Sequence, residues 1–289
     1  MTELELDGLV LRAHSVAGLA TCISVPAWKL CFDIGVCDDP TAARCRTVLC
    51  THGHVDHLGS LPHHVARRSM WGLPPTRLVV PAPVVNDVEA MLDAWRRIAH
   101  SSLPCEVIAA EPGVPLSLGK GLVARPFLAS HRVQTLGYGL VRTKNRLRAE
   151  LRGMEGPAIA ARRAAGEVVT EEVATLELAF TGDTRAAVLD REPWLAEARR
   201  LVMECTFLDD DGAAQRADRT GHTALPDLVA RAGLLRQEHI LLTHFSSRYG
   251  PTEIRQALAR QLPESVARRV WALLPTGAVS ALPEPITPS

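Results

Sequence analysis

Residues Thr51 to Gly59 read T-H-G-H-V-D-H-L-G, so three imidazoles and a carboxylate, those of His52, His54, Asp56 and His57, fall within six consecutive positions. Such crowding is unfavourable without a ligand, because the groups lose hydration on burial and repel one another's protons. A divalent cation removes both problems by accepting neutral imidazole nitrogens and a carboxylate oxygen directly. From an extended turn His52 and His54 can point the same way, while Asp56 and His57 fall on a different side. One short loop can therefore serve two adjacent ions. The zinc-protease pattern H-E-x-x-H is absent, and that pattern needs a helix where this segment has a glycine-containing turn.

The elements that must hold this loop follow from the apolar periodicity. Short apolar runs end in ligand-type residues at four places: Arg46–Cys50 before Thr51-His52, Leu176–Phe180 before Thr181-Gly182-Asp183, Arg200–Met203 before Glu204, and His239–Leu242 before Thr243-His244. Each reads as a buried strand with chemistry at its C-terminal end. Asn86–His100 places Val88, Met91, Leu92, Trp95 and Ile98 on one helical stripe, Pro251–Leu262 carries Ile254 and Leu258 inward, and Leu61–Met70 reads as a helix leaving the loop. Leu9–Ala13, Thr21–Val25 and Leu30–Ile34, separated by Gly and Pro, read as a meander of strands. A meander followed by strands alternating with helices predicts an α/β fold in layers of helix, sheet, sheet and helix. The segment 274–289 is Pro-rich and is expected to be a disordered tail.

A chain of 289 residues with 47% apolar composition can bury a large core, and no linker interrupts its middle. Its formal charge is zero, so a nucleic-acid partner would have to be held by a local patch. Five of the seven cysteines lie between Cys22 and Cys50, but the number is odd and no C-x-x-C pair occurs. Several sit in apolar strand-like runs, where a free thiol acts as a small hydrophobe, so neither a disulfide framework nor a zinc knuckle is expected. No basic segment precedes an apolar run at the N-terminus, and no stretch approaches the roughly 18 apolar residues of a membrane span. The expected setting is reducing and cytoplasmic, without a membrane partner.

The H-x-H-x-D-H loop at His52, His54, Asp56 and His57 is similar to the signature of the metallo-β-lactamase superfamily. That resemblance implies a four-layer αββα metallo-β-lactamase sandwich and, in members with two metals, further ligands from later strand ends. Candidates stand in the required order: His131 in A-S-H-R-V, Asp183 in F-T-G-D-T and His244 in L-L-T-H-F. The resemblance divides them as His52, His54 and His131 on one ion, Asp56, His57 and His244 on the other, and Asp183 between. Two Zn2+ ions per subunit are implied, although Mn2+ or Fe2+ accept a similar donor set. Two such ions lower the pKa of a shared water to roughly 7, creating a hydroxide nucleophile, and neutralise the attacked oxygen. Hydrolysis is the expected reaction, with Asp56 counted among the catalytic residues as well as the ligands.

Three further features resemble ribonuclease Z, the tRNA 3′-processing endonuclease, in its short form. Met203-Glu204-Cys205-Thr206-Phe207 and Thr220-Gly221-His222-Thr223 are similar to the family's E-x-T-F and G-H motifs. They imply that Glu204 orients His222, which donates a proton to the departing ribose oxygen. Thr243-His244-Phe245-Ser246-Ser247-Arg248-Tyr249 is similar to the family's H-F-S-x-R-Y segment, and implies Arg248 as a phosphate contact; Tyr249 is read as a base-stacking or, more simply, a core residue. Between Arg142 and Arg163, seven basic residues face only Glu150 and Glu155. With Gly156-Pro157 the segment resembles the family's tRNA-gripping arm, here short and inserted at about 142–168 of a single domain spanning 1–273. Arg142, Lys144, Arg146, Arg148 and Arg152 are its implied RNA-binding residues. The resemblance thus implies a homodimeric, zinc-dependent endoribonuclease acting on pre-tRNA. It would cut 3′ of the discriminator nucleotide, leaving a 3′-hydroxyl on the tRNA and a 5′-phosphate on the trailer. The alternative is a binuclear metallo-hydrolase of small molecules, a phosphodiesterase, sulfatase or thioesterase, which would have no use for the basic segment.

Overall fold

The protein is described by a computed structural model over residues 1–37 and 39–282. Two sheets form. The first contains β1 (Thr2–Leu6), β2 (Leu9–Val16), β3 (Ala20–Val25), β4 (Leu30–Phe32), β5 (Thr47–Leu49), β6 (Thr76–Pro81) and β7 (Cys105–Ala110), hydrogen-bonded in that order. The second contains β8 (Leu116–Gly119), β9 (Leu122–Ala129), β10 (Thr135–Leu147), β11 (Thr170–Phe180), β12 (Arg200–Glu204), β13 (His239–Thr243), β14 (Val270–Leu273) and β15 (Val279–Ala281), also in chain order. Each sheet begins as an antiparallel meander and becomes parallel where helices enter, at β4–β7 and at β11–β14.

The period of two explains the layers. In β4 and β5, Phe32 and Leu49 face the second sheet, while their neighbours Cys31 and Val48 face Leu61, Val65, Val88 and Leu92 of the outer helices. In β12 and β13, Val202 and Leu241 point inward, while Leu201, Met203, Ile240 and Leu242 pack against Leu225, Leu228, Ile254 and Leu258 on the opposite outer layer. Strands buried on both faces must be apolar at every position, which is why these runs are continuous in sequence. The result is the αββα sandwich. A fully buried Tyr138 on β10 ties the sheets together by donating its hydroxyl to Cys50 O, 2.7 Å away, at the end of β5.

All seven cysteines are free. Cys22 Sγ lies 3.1 Å from Cys37 Sγ and 3.4 Å from Cys31 Sγ beneath the outer helices, and burial pushes the neighbouring Cys45 thiol up to about 12. They serve as packing groups.

Two features depart from simple expectation. The sheet continues past Leu274, whose side chain is buried, because a turn through Gly277 lets Leu274 N donate to Ala278 O and returns β15 against β14. The expected disordered tail therefore does not begin at 274, and 283–289 lie outside the described residues. The basic segment is also longer in reach than its length suggests. β10 pairs with β9 only from Thr135 to Arg142, and beyond that with β11 alone, so Thr143–Leu147 and Thr170–Ala174 leave the sandwich as a two-stranded ribbon. The helix Gly156–Ala164 closes its tip.

Candidate metal centre

The parallel strands end at one pole, and most of the chemical residues of interest are placed there by strand ends. Asp33 follows β4, Thr51 and His52 follow β5, His131 follows β9, Asp183 follows β11, Glu204 ends β12 and His244 follows β13. A one-turn helix, Val55–Leu58, presents Asp56 and His57. Two glycines permit the convergence. A Cβ on Gly35 would come within 2.0 Å of Asp56 O, and one on Gly182, whose φ is +59°, within 2.7 Å of Thr51. Asp33 and His244 themselves take left-handed backbone, with φ of 55° and 61°. Non-glycine residues in that region carry a cost of roughly 1–2 kcal/mol each, and such strain persists where the surroundings enforce it.

Seven side chains meet. Ligand atoms of His52, His54, His131 and Asp183 all lie within 4.8 Å of one another, as do those of Asp56, His57 and His244. Asp183 stands between the groups: its carboxylate is 3.3 Å from His57 Nε2, 3.5 Å from His244 Nε2 and 3.8 Å from His52 Nε2. Asp56 Oδ2 lies 3.5 Å from His244 Nε2 and 3.7 Å from His57 Nε2. Ligands sharing one ion at about 2.0–2.1 Å sit roughly 3–3.5 Å apart, so these spacings suit coordination.

The hydrogen bonds behind the rings fix which nitrogen faces inward. His57 Nδ1–H donates to Asp33 Oδ2 at 2.7 Å, and His131 Nδ1–H donates to Gly221 O at 2.8 Å. Thr51 donates its hydroxyl to Asp33, leaving its oxygen to accept from His52 Nδ1 at 2.9 Å. Thr206 likewise donates to Glu204 at 2.6 Å and accepts from His244 Nδ1 at 3.0 Å. Four imidazoles thus carry their proton on Nδ1 and turn an Nε2 lone pair to the centre, the tautomer that coordinates a metal through Nε2. Of these, the buried His57 Nε2 and His244 Nε2 have no hydrogen-bond partner. Leaving buried nitrogens unpaired costs about 1–3 kcal/mol each, and a cation between them would satisfy both. The donor set fits a pair of divalent ions.

Where no cation is bound, a proton on His57 takes its place, and the electrostatics show that demand for positive charge. Burial opposes charge on His57, yet Asp183 and Asp33 on either side outweigh it and hold the imidazole well above its ordinary value. Burial likewise opposes ionisation of Asp183, but His244 and His57 hold its carboxyl well below the usual range. Burial and the neighbouring His57 push His52 well below its ordinary value. The pocket calls for positive charge in its middle. His54, His131 and His222 are partly exposed and form the open side, whereas His57, His244 and Asp183 form its floor.

His222 stands apart in kind. Its Nδ1 is 2.8 Å from Glu204 Oε1 and 3.9 Å from Asp183 Oδ2. Glu204 also accepts from Thr184 N at 2.6 Å and Thr223 N at 3.2 Å, so its position is fixed from several sides. Against burial, Glu204 and then Asp183 lift the His222 imidazole to about 9. A cavity of about 170 Å³ lined by Arg185, Asp218 and Arg231 adjoins it.

Of the anticipated RNA contacts, one lies near the metal pole and the others on β10 and the segment that follows it. Arg248 is exposed beside the centre, 5.7 Å above the Phe207 ring, with Nε 3.2 Å from Ser246 Oγ. Tyr249 is buried and hydrogen-bonded to Asp210, so it packs in the core. Lys144 and Arg146 project from the ribbon, Arg148 pairs with Glu150 at 2.7 Å and Arg152 reaches Glu171 at 3.8 Å. Arg142 lies over the Trp28 ring at 5.1 Å.

Asp33 and the hydroxyls of Thr51 and Thr206 were not anticipated as site residues. Asp33 carries the same signal as the other strand ends, an apolar run followed by a carboxylate, but the run Leu30–Ile34 reads as a single strand passing through it. Asp33→Ala removes the acceptor behind His57 and the anchor of Thr51. A metal titration against a competing chelator is expected to show about 10–100-fold weaker binding, the usual cost of removing such a partner; unchanged affinity would deny Asp33 that role.

The chain is similar to known proteins over most of its length. The Beta-lactamase superfamily domain matches residues 36–245. The chain is 34% identical to the Arabidopsis thaliana protein tRNase Z TRZ1 over 272 residues, covering 93% of this chain and 96% of that one. It is 34% identical to the same plant's chloroplastic tRNase Z TRZ2 over 273 residues, covering 93% and 76%. The crystal structure of the short form of human tRNase Z superposes with a TM-score of 0.59 at 18% identity, covering 94% of this chain and 98% of that one.

Proposed function

Because this chain belongs to the beta-lactamase superfamily and, within it, to the tRNase Z family, we propose that it is an endoribonuclease that removes the 3′ trailer from pre-tRNA. The scissile bond is the phosphodiester 3′ of the discriminator nucleotide. Within the site, the observation that carries this reading is His222, held on Glu204 at 2.8 Å beside Asp183. A ribose alkoxide is a poor leaving group, and an imidazolium positioned next to the reacting phosphate can protonate it.

His52, His54 and His131 are assigned to one divalent ion and Asp56, His57 and His244 to a second, with Asp183 between them. Zinc is the proposed metal, since neutral imidazoles and carboxylates at these spacings suit it. Bound there, the ions would activate a water and offset the charge on the phosphate. The protein's own residues orient the reaction. Asp33, Thr51, Thr206 and Glu204 keep the ligand rings in one tautomer, Arg248 offers a guanidinium to a phosphate oxygen at the open side, and His222 supplies the proton.

The arm bears on assembly. β10 starts beside Thr51, where Leu136 N donates to Thr51 O, and runs away from the metal pole. Its twelve steps from Thr135 to Leu147 span roughly 40 Å of extended chain. Lys144, Arg146, Arg148 and Arg152 therefore stand far from their own centre, and a homodimer in which one arm steadies RNA at the partner's centre uses them naturally. A reducing, cytoplasmic setting suits the free thiols. Among the described residues no helix is long and apolar enough to cross a membrane.

Incubation with a pre-tRNA and mapping of both product ends tests the substrate and the bond. A 3′-hydroxyl tRNA and a 5′-phosphorylated trailer are expected; hydrolysis of small esters with no cut in pre-tRNA would reassign the chain to small-molecule chemistry. Joint replacement of Lys144, Arg146, Arg148 and Arg152 by alanine is expected to lower kcat/KM for pre-tRNA at least tenfold. The slope of log affinity against log salt should fall by about 2–3, less than four free cations would give because two are ion-paired.

A further inference from the structure

At the pole opposite the metal centre, the N-terminal ends of β4, β5 and β9 border a cleft of about 360 Å³ between the two sheets. Its walls carry Trp28, Lys29, Arg46, Arg77, Lys120 and Arg142, and no carboxylate lines it. Glu106 is the sole acid within 4.0 Å of any of these cations among the described residues, 3.5 Å from Arg77 Nε and itself exposed. Arg142 packs over Trp28 at 5.1 Å, while Lys29, Arg46 and Lys120 are exposed and have no ion-pair partner among the described residues.

Five cations converging on one cleft are notable in a chain whose formal charge is zero and whose only lysines are Lys29, Lys120 and Lys144. The two lysines at the cleft are held on left-handed backbone, each with φ of 52°. Lys29 caps the short turn Pro26–Trp28, and Lys120 sits between Gly119 and Gly121 in the β8–β9 turn, which Thr143 N closes by donating to Gly121 O at 2.8 Å. Both residues thus stand in tight turns at the rim of the cleft and present their side chains from there. Mutual repulsion among the cations is relieved by an anion with several charged oxygens. Arg142, Lys144 and Arg146 alternate along β10, so the charge continues from the cleft onto one face of the ribbon.

We propose that this cleft is a second RNA-binding site, which takes phosphate groups of an RNA backbone remote from the bond that is cut. The proposal rests on the reading of the chain as an RNA-processing enzyme. It favours RNA over a free nucleotide because the cationic stripe extends beyond the cleft in one direction, as a continuous phosphodiester chain requires.

The test uses the full chain and the triple variant Lys29→Gln, Arg46→Gln and Lys120→Gln, whose side chains are exposed and belong neither to the metal centre nor to the ribbon. Binding of a mature tRNA transcript is measured across a range of salt, with hydrolysis of bis(p-nitrophenyl) phosphate as a readout of the metal centre. The variant is expected to bind tRNA about 10–100-fold more weakly at low salt, with a log–log salt slope smaller by about 2–3, and to hydrolyse the small diester unchanged. Equal affinity and slope in the two proteins would overturn the proposal. So would loss of AMP binding in the variant with tRNA binding intact, which would make the cleft a nucleotide pocket. A wild-type chain that hydrolyses the small diester but binds no tRNA at any salt would instead remove the functional reading on which the proposal rests.

Discussion

Asp183→Ala is expected to strip both ions from the protein and to reduce phosphodiester cleavage by on the order of 10⁴-fold, because water activation and phosphate neutralisation are lost together. The geometry sets this apart from loss of an ordinary ligand. One carboxylate approaches His57, His244 and His52 at 3.3, 3.5 and 3.8 Å, so it touches both groups of ligands. Alanine leaves the inward-facing Nε2 atoms of those rings around a space in which Asp56, on one side only, is the remaining carboxylate to offset two cations. Asp56→Ala provides the contrast, since Asp56 groups with His57 and His244 alone and its loss should weaken one ion more than the other. Metal content per chain, measured after dialysis against a weak chelator, separates the cases. Two ions retained by Asp183→Ala would refute its place between them.

The centre was legible from sequence to the extent that strand ends are. β5, β12 and β13 are buried on both faces, so their apolar runs are unbroken and the residue after each run stands out. Asp33 escaped because β4 is only three residues long and leaves the sheet through a left-handed residue, a change that hydrophobicity does not mark. His244 takes the same conformation, but its segment was recognisable from neighbouring residues. The arm was legible as charge and not as direction: the one-sided excess of arginine is real, yet only pairing shows that β10 outruns β9 and carries those residues away from the metals. The opposite cleft left no local trace, since Lys29, Arg46, Arg77 and Lys120 are scattered through the chain and a net charge of zero conceals them. The tail was misjudged because proline content argues against helix but not against a short edge strand returning from a turn at Gly277.

His222→Ala is expected to retain both ions and still slow cleavage of pre-tRNA by about 10²–10⁴-fold, the range for a lost general acid. The structure makes the retention a real test, because His222 also lies close enough to Asp183 and His244 to complete a ligand group with them. Its tie to Glu204 argues for the other role: Nδ1 is engaged, and the lifted pKa of about 9 keeps the ring protonated at neutral pH, as a donor must be. The sign of the pH effect follows. Raising pH through the imidazole's value removes the acid, so activity falls on the basic side, and cations bound nearby draw that limb toward lower pH. Glu204→Gln takes away the carboxylate that stabilises the imidazolium and should move the limb lower still. Leaving-group chemistry provides the decisive comparison. A nitrophenolate departs without a proton, so His222→Ala should cost far less on bis(p-nitrophenyl) phosphate than on pre-tRNA. Equal losses on both, or a variant that has shed an ion, would place His222 among the metal ligands.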